Sequence, residues 1–167
     1  MPRHQCLIYE GSPAAHLAGL AAVASKELNA NSRLIYVNSP TMVAGFRSYL
    51  AATGLNVEQE VKRGALVLSS ERGHLNNGHF DVDRMLGMLR DALSRALKDG
   101  FSSLWASGDM TWELGGERNF DKLLEYECGL ESFSGRIPLS TGSANTTETL
   151  YRRTPWGRRF IRIEPFT

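Results

Sequence analysis

The sequence is short of cysteine, of net charge and of long hydrophobic runs, and each shortage excludes a class of protein. Two cysteines, Cys6 and Cys128, cannot form a disulfide framework or a four-ligand zinc site, and we expect both to be small buried side chains. A net charge of +1 provides no general attraction for nucleic acid or a membrane surface. No segment has the length of a membrane span and the first residues lack the pattern of a signal peptide, so we expect a cytoplasmic protein.

The residues that are present are typical of one globular domain. The chain of 167 residues is long enough to bury a core, and 42% of it is hydrophobic against 22% charged. Short apolar runs alternate with segments of helical periodicity. Strands are predicted at residues 6–9, 33–37, 65–68 and 101–108, and helices after Ser12, after Ser39, after Asp81 and from about Phe120 to Leu130. This order predicts an α/β fold, a three-layer sandwich with a mainly parallel central sheet flanked by helices.

Two stretches are less regular. Residues 57–63 are charged and expected to be exposed, and residues 69–78 are interpreted as a polar loop at the carboxyl end of the third strand. Beyond residue 131 the periodicity fades. We therefore predict a core at residues 1–131 and a divergent C-terminal segment at residues 132–167 that completes or flanks the same domain.

The turn after the first strand stands where α/β proteins bind phosphate. Ser12 is predicted to cap the following helix and Pro13 to occupy its first position, which leaves amides at the helix start that attract anions. A working P-loop also needs a lysine and a hydroxyl, and Ala15, His16 and Leu17 stand in their place. The sequence therefore disfavours ATP hydrolysis at this turn, since those two side chains carry the chemistry.

Four polar stretches follow the predicted strands, at residues 9–12, 38–41, 69–74 and 109–113. In parallel sheets ligands bind outside the carboxyl ends of the strands, so these stretches are predicted to line one crevice. The sequence has no Gly-x-Ser-x-Gly motif, and a cysteine and a histidine two positions apart on one strand cannot form a catalytic dyad without distortion. We therefore predict a binding site and no enzyme activity.

Five side chains are candidates for ligand or metal binding in this crevice. His4 and Cys6 point to the same side of a strand and could hold a polar ligand, but two groups are too few for a metal unless His74 or Asp109 joins them. The alternative for His4 is a hydrogen-bonded histidine at a strand start. Asp109 follows a buried strand and is either a ligand for metal or water or a cap for its loop. Trp112 is either a wall of the site or a packing residue.

Several short motifs follow one another in a fixed order: His4–Tyr9, Gly78–Asp81, the Gly100–Phe101 turn, Ser107–Trp112 and Tyr126–Glu127. Together they resemble the MEDS domain, the methanogen/methylotroph DcmR-type sensory domain. The resemblance covers about residues 4 to 131. The chain departs from the family where Asp109 replaces an expected glutamate, and where residues 138–142 replace a Cys-x-Tyr strand, so the last strands are expected to be altered or missing.

The resemblance implies a cytoplasmic sensory module of bacterial and archaeal signalling proteins, which senses small hydrocarbon derivatives and works with a helix-turn-helix or histidine-kinase output. It also implies similarity to the RecA/KaiC-type P-loop fold with a degraded phosphate loop. By motif match His4, Cys6 and Tyr9 would be ligand-side residues, with Asp109 and Trp112 at a second site. The residues contain no output domain, so a partner chain or a longer protein is implied.

Three hypotheses follow. The first is a sensor in signal transduction or transcription regulation, which binds a small organic ligand without metal or other cofactor. Its ligand-binding residues would be His4, Cys6, Tyr9, Gly11, Ser12, Asp109 and Trp112. The second is a RecA/KaiC-like protein that binds ATP without the lysine and depends on Gly11 and Ser12. The third is a non-catalytic oligomerisation scaffold. Five arginines at residues 152–162 are interpreted as a solvated tail, so direct nucleic-acid binding is not expected.

Overall fold

The computed structural model describes residues 7–9, 12–70, 75–76, 79–108, 120–134 and 143–145. In chain order the elements are β1 (Leu7–Tyr9), a 3-10 helix (Pro13–His16), α1 (Leu17–Asn29), β2 (Ser32–Val37), α2 (Pro40–Ala52), α3 (Val57–Lys62), β3 (Leu66–Ser69), β4 (Leu75–Asn76), β5 (His79–Phe80), α4 (Val82–Lys98), β6 (Ser103–Gly108), α5 (Phe120–Ser134) and β7 (Ser143–Asn145). Within these described stretches, no helix has both the length and the apolar character that crossing a membrane requires.

Three parallel strands form the central sheet, in the order β3-β2-β6. Val37, the last residue of β2, lies opposite Ser69 of β3 and Gly108 of β6, so the three carboxyl ends meet at one edge. The predicted mainly parallel sheet is confirmed.

Two further strand pairs lie outside this sheet. β1 pairs in parallel with β7, with Tyr9 opposite Asn145, and β4 pairs antiparallel with β5. A strand therefore follows residues 138–142, where the resemblance predicted altered or missing strands.

Helices cover both faces of the sheet because the side chains of β2 alternate between two apolar clusters. Leu34 and Tyr36 pack with α1 and α2, on what we call the α1–α2 face; Trp105 of β6 belongs to the same cluster. Ile35 and Ala106 pack with α4 and α5, on the α4–α5 face. The three-layer α/β sandwich predicted from the sequence is confirmed.

The helix boundaries follow the predicted capping signals. The Ser39 hydroxyl accepts a hydrogen bond from the Met42 amide at 3.4 Å, and the Asp81 carboxylate accepts one from the Arg84 amide at 2.9 Å. α2 and α4 are followed by Gly54 and Gly100, whose φ angles of 86° and 88° are the left-handed values that end helices.

Ser12 lies at the N-cap position before Pro13, as predicted, but the capping hydrogen bond predicted for it is wrong. Its side chain makes no capping hydrogen bond, and its carbonyl instead accepts from the Ala15 amide at 3.0 Å. The chain thereby enters a 3-10 turn at Pro13, and the α-helix begins only at Leu17. In the tighter 3-10 turn the Ala15 amide donates to a backbone carbonyl. It therefore does not donate to the Ser12 hydroxyl.

Two stretches interpreted as irregular contain regular structure. Residues 57–63, expected to be exposed, include helix α3, whose first residue Val57 is buried in the core next to the α1–α2 face. The Asn56 side chain caps this helix by accepting from the Gln59 amide at 3.1 Å. The loop predicted at residues 69–78 contains β4, which forms a short hairpin with β5.

Cys128 of α5, expected to be a small buried side chain, is exposed. Tyr126 and Leu130 on either side of it are buried, and a residue two positions from each faces away from the core.

Candidate functional site

A topological switch point lies at the carboxyl ends of β2 and β6. After β2 the chain continues into α2, which packs on the α1–α2 face. Among the residues that the structure describes, the next helix after β6 is α5, which packs on the α4–α5 face. Neighbouring parallel strands whose following helices lie on opposite faces leave a crevice between their ends, and ligands of α/β proteins bind there. We call the space outside Val37 and Gly108 the switch-point crevice.

The described residues at this crevice are polar or small. Asn38 follows β2, and its amide donates to the Ser69 carbonyl at 3.1 Å, which holds the ends of β2 and β3 together. Ser107 is buried and lies opposite Tyr36 across the strand pair. A Cβ on Gly108 would lie 3.5 Å from the Val37 carbonyl oxygen, an ordinary contact.

Asn38 joins the end of β2 to the start of α2. Its carboxamide nitrogen donates to the Tyr36 hydroxyl at 3.1 Å, and its carboxamide oxygen accepts from the Ser39 amide at 2.7 Å. Tyr36 is 2% exposed, and its ring lies 4.2 Å from the Phe46 ring of α2. The sequence placed Asn38 in the polar stretch 38–41 that is predicted to line the crevice, but no partner for its side chain was predicted. The polar residue two positions after Tyr36, on the same side of the strand, was the signal that could have indicated this contact.

The turn after β1 lies on the same side of the molecule as α2. The 3-10 helix contacts both α1 and α2. The two α-helices approach closely there, since a Cβ on Gly45 would lie 2.9 Å from Leu17 Cδ1. Pro13 has no amide hydrogen and the Ala15 amide is already bonded to Ser12, so this turn offers fewer anion-binding amides than a P-loop does.

The structure brings together three of the four predicted strand ends. The stretches that begin at residues 38, 69 and 109 follow the aligned ends of β2, β3 and β6. Tyr9 is the last residue of β1 and Ser12 is exposed in the turn that follows. The other predicted ligand residues lie outside the described residues. They are His4, Cys6, Gly11, Asp109 and Trp112, and His74 also lies outside. Their assignment as a ligand set stays a prediction. Among the described residues, no three side chains of His, Cys, Asp or Glu form a metal-binding group.

Two motifs of the resemblance meet on the α4–α5 face. Phe80 and Tyr126 pack edge to face with ring centroids 5.3 Å apart, and the Lys122 ammonium donates to the Phe80 carbonyl at 2.8 Å. Burial raises the pKa of the Tyr126 hydroxyl, and the negative charge of Glu127 raises it further. These contacts join β5 to α5, which indicates a structural role for both motifs.

The Gly100–Phe101 motif lies at the opposite edge of the sheet, before β6 begins. The Arg33 guanidinium is centred 4.5 Å from the Phe101 ring and donates to the Gly64 carbonyl and the Asp99 carboxylate, each at 2.8 Å. Its side chain is only 14% exposed. The cluster ties β2 to the loops before β3 and β6, and it lies away from the switch-point crevice.

The fold and the crevice define the class: an α/β domain with a crevice at the strand ends of its parallel sheet, which is where α/β proteins bind ligands. The family follows from comparison. The model for MEDS, the MEthanogen/methylotroph, DcmR Sensory domain, matches residues 3–143, and the chain belongs to this family of sensory domains. The match ends at Ser143, the first residue of β7, and so extends beyond residue 131, where the motifs of the resemblance end. A comparison with curated proteins found no match.

Proposed function

We propose that this sensory domain binds a small hydrocarbon derivative in the switch-point crevice and passes the binding event to an output partner. The observation that carries the proposal is the alignment of the ends of β2, β3 and β6, with α2 and α5 on opposite faces of the sheet. His4, Cys6, Tyr9, Asp109 and Trp112 are the side chains that we propose contact the ligand. The partner would be a helix-turn-helix regulator or a histidine kinase, in the same chain or in another.

The proposed action is binding without catalysis. A ligand shifts a conformational equilibrium only if it binds one state more tightly than the other, so the crevice must differ between the two signalling states. α2 is the element suited to report that difference, because it begins beside the crevice and packs over the sheet through Phe46 and Leu50. The absence of a lysine and a hydroxyl at Ala15, His16 and Leu17 supports a binding role over phosphate transfer.

Thermal unfolding with a ligand panel tests the proposal. The purified protein is melted with a series of C1 and C2 organic compounds and, separately, with millimolar Mg-ATP. A ligand present at about a hundred times its dissociation constant adds about 2.7 kcal/mol, which raises Tm by several degrees. We expect such a shift with at least one organic compound.

The other outcomes distinguish the alternatives. A shift with Mg-ATP alone, lost when Gly11 and Ser12 are substituted, would favour a RecA/KaiC-like nucleotide-binding protein. No shift with any compound, together with a molecular size that grows with protein concentration, would favour an oligomerisation scaffold. Either result would overturn the sensor proposal.

A further inference from the structure

We propose that Asn38 is a positioning residue that latches the first turn of α2 to the end of β2, so that this turn opens when the Asn38–Tyr36 hydrogen bond breaks. The latch itself is a property of the folded chain. Only its use, in which a bound molecule competes for the Asn38 carboxamide, rests on the proposed function.

The fixed end of the latch is Tyr36. The residue sits in the middle of the three-stranded sheet, opposite Leu68 and Ser107, and is almost completely buried. Its ring is held against the Phe46 ring, which is itself fully buried. The phenol oxygen is therefore a rigid acceptor at the carboxyl edge of the sheet, and Asn38 donates to it.

The movable end is the first turn of α2. The Ser39 amide donates to the Asn38 carboxamide at 2.7 Å, whereas the capping bond from the Met42 amide to the Ser39 hydroxyl is long, at 3.4 Å. The Val43 amide bonds to the Ser39 carbonyl at 2.9 Å. The amides of Met42 and Val43 thus both donate hydrogen bonds to Ser39, and the conformation of Ser39 depends on Asn38.

The position of Asn38 gives the latch a regulatory use. The residue is half-buried and follows the last residue of β2 at the switch-point crevice. A carboxamide offers two N–H donors and two acceptor lone pairs, so a neighbouring molecule can take one of its bonds. Losing the bond to Tyr36 would free the Asn38 side chain and Ser39 to move, while the Asn38 amide stays bonded to the Ser69 carbonyl and Phe46 and Leu50 keep the rest of α2 packed.

Native-state hydrogen exchange tests the latch in the complete chain without any ligand. The amides of Met42 and Val43 report opening of the first turn. We expect Tyr36→Phe to speed their exchange about fivefold, the effect of losing one ordinary hydrogen bond. Asn38→Ala removes the bonds to both Tyr36 and the Ser39 amide, so it should speed exchange at least as much. Because the two side chains act as one unit, we expect the double variant to exchange no faster than Asn38→Ala alone.

Asn56→Ala is the matched control. Asn56 caps α3 with the same kind of side-chain bond, so its loss should speed exchange at the Gln59 amide and leave Met42 and Val43 unchanged. Unchanged exchange at Met42 and Val43 in Tyr36→Phe would overturn the latch, since Asn38 would then be only a local cap. Additive effects in the double variant would overturn it too. Neither result depends on a ligand, so a failed latch is separable from a failed sensor proposal.

Discussion

A side chain is held most firmly where it contacts more than one segment of the chain at once. Arg33 belongs to β2, yet its guanidinium stacks on Phe101 and bonds to Gly64 and Asp99, which lie in two different loops. The planar guanidinium with several donors permits this, and a lysine ammonium would not reproduce it. The partners of Arg33 were not predictable from the sequence, because tertiary packing brings them close from more than thirty positions away.

The buried hydroxyl of Tyr126 predicts a loss of stability in alkaline solution. The pKa of this group is raised by burial and by Glu127, whereas a tyrosine in the unfolded chain titrates near 10. Below about pH 10 both states keep the proton and the group adds no pH dependence. Above it the unfolded chain loses the proton first, so the free energy of unfolding should fall by up to about 1.4 kcal/mol per pH unit.

Denaturant unfolding at a series of pH values from 8 to 11 measures this fall. Tyr126→Phe keeps the ring against Phe80 and removes the titrating hydroxyl, so its stability should decline less steeply. Tyr49→Phe, at an exposed position, is the matched control and should decline as the wild type does. Equal slopes for all three proteins would contradict the prediction.

Whole helices and strands were predictable when they were long and their apolar residues regular. The face of α4 formed by Val82, Leu86, Leu89 and Leu93 is buried as its spacing predicts. The strands β4 and β5 were missed because two residues each are too few to show a period. α3 was missed because Val57 alone supplies its buried contact among charged neighbours. Pattern reasoning depends on repetition, and these short elements provide none.

The packing of α5 on α4 predicts opposite effects for two helical glycines. A Cβ on Gly129 would lie 2.5 Å from Leu86 Cδ1, and Leu86 is itself buried, so Gly129→Ala should force the helices apart. We expect the free energy of unfolding to fall by about 1 kcal/mol. Overpacking destabilises by roughly 1–3 kcal/mol, and the better helix propensity of alanine stabilises by about 1 kcal/mol.

Gly87 of α4 is the matched control, because a Cβ there meets no atom within 4 Å. Gly87→Ala should gain up to about 1 kcal/mol from helix propensity alone. Both variants are measured by denaturant unfolding against the wild type. A stabilising Gly129→Ala would show that Leu86 moves aside without cost and that the contact does not set the distance between the helices.

At the scale of the molecule, the position of the candidate site was predictable and its composition was not. Alternating strands and helices fix a parallel sheet, and a parallel sheet places its ligand site at the carboxyl ends of the strands. The observed register of Val37, Ser69 and Gly108 agrees with that expectation. Which polar groups face the crevice depends on how each loop leaves its strand, and hydrophobic periodicity carries no information on loops.

The proposed site draws on segments that are about a hundred residues apart in the chain, and this predicts how substitutions affect ligand binding. Cys6 and Trp112 come from these two segments, and both are among the side chains that we propose contact the ligand. For whichever C1 or C2 compound raises Tm, we expect Cys6→Ala and Trp112→Ala each to remove most of the shift. Cys128→Ala changes the same residue type at an exposed position of α5 and should keep the full shift.

Circular dichroism checks that each variant is folded. If Cys6→Ala and Trp112→Ala both unfold the protein, these residues belong to the core and the ligand binds elsewhere. If both stay folded and keep the shift, the crevice at the ends of β2 and β6 is not the ligand site.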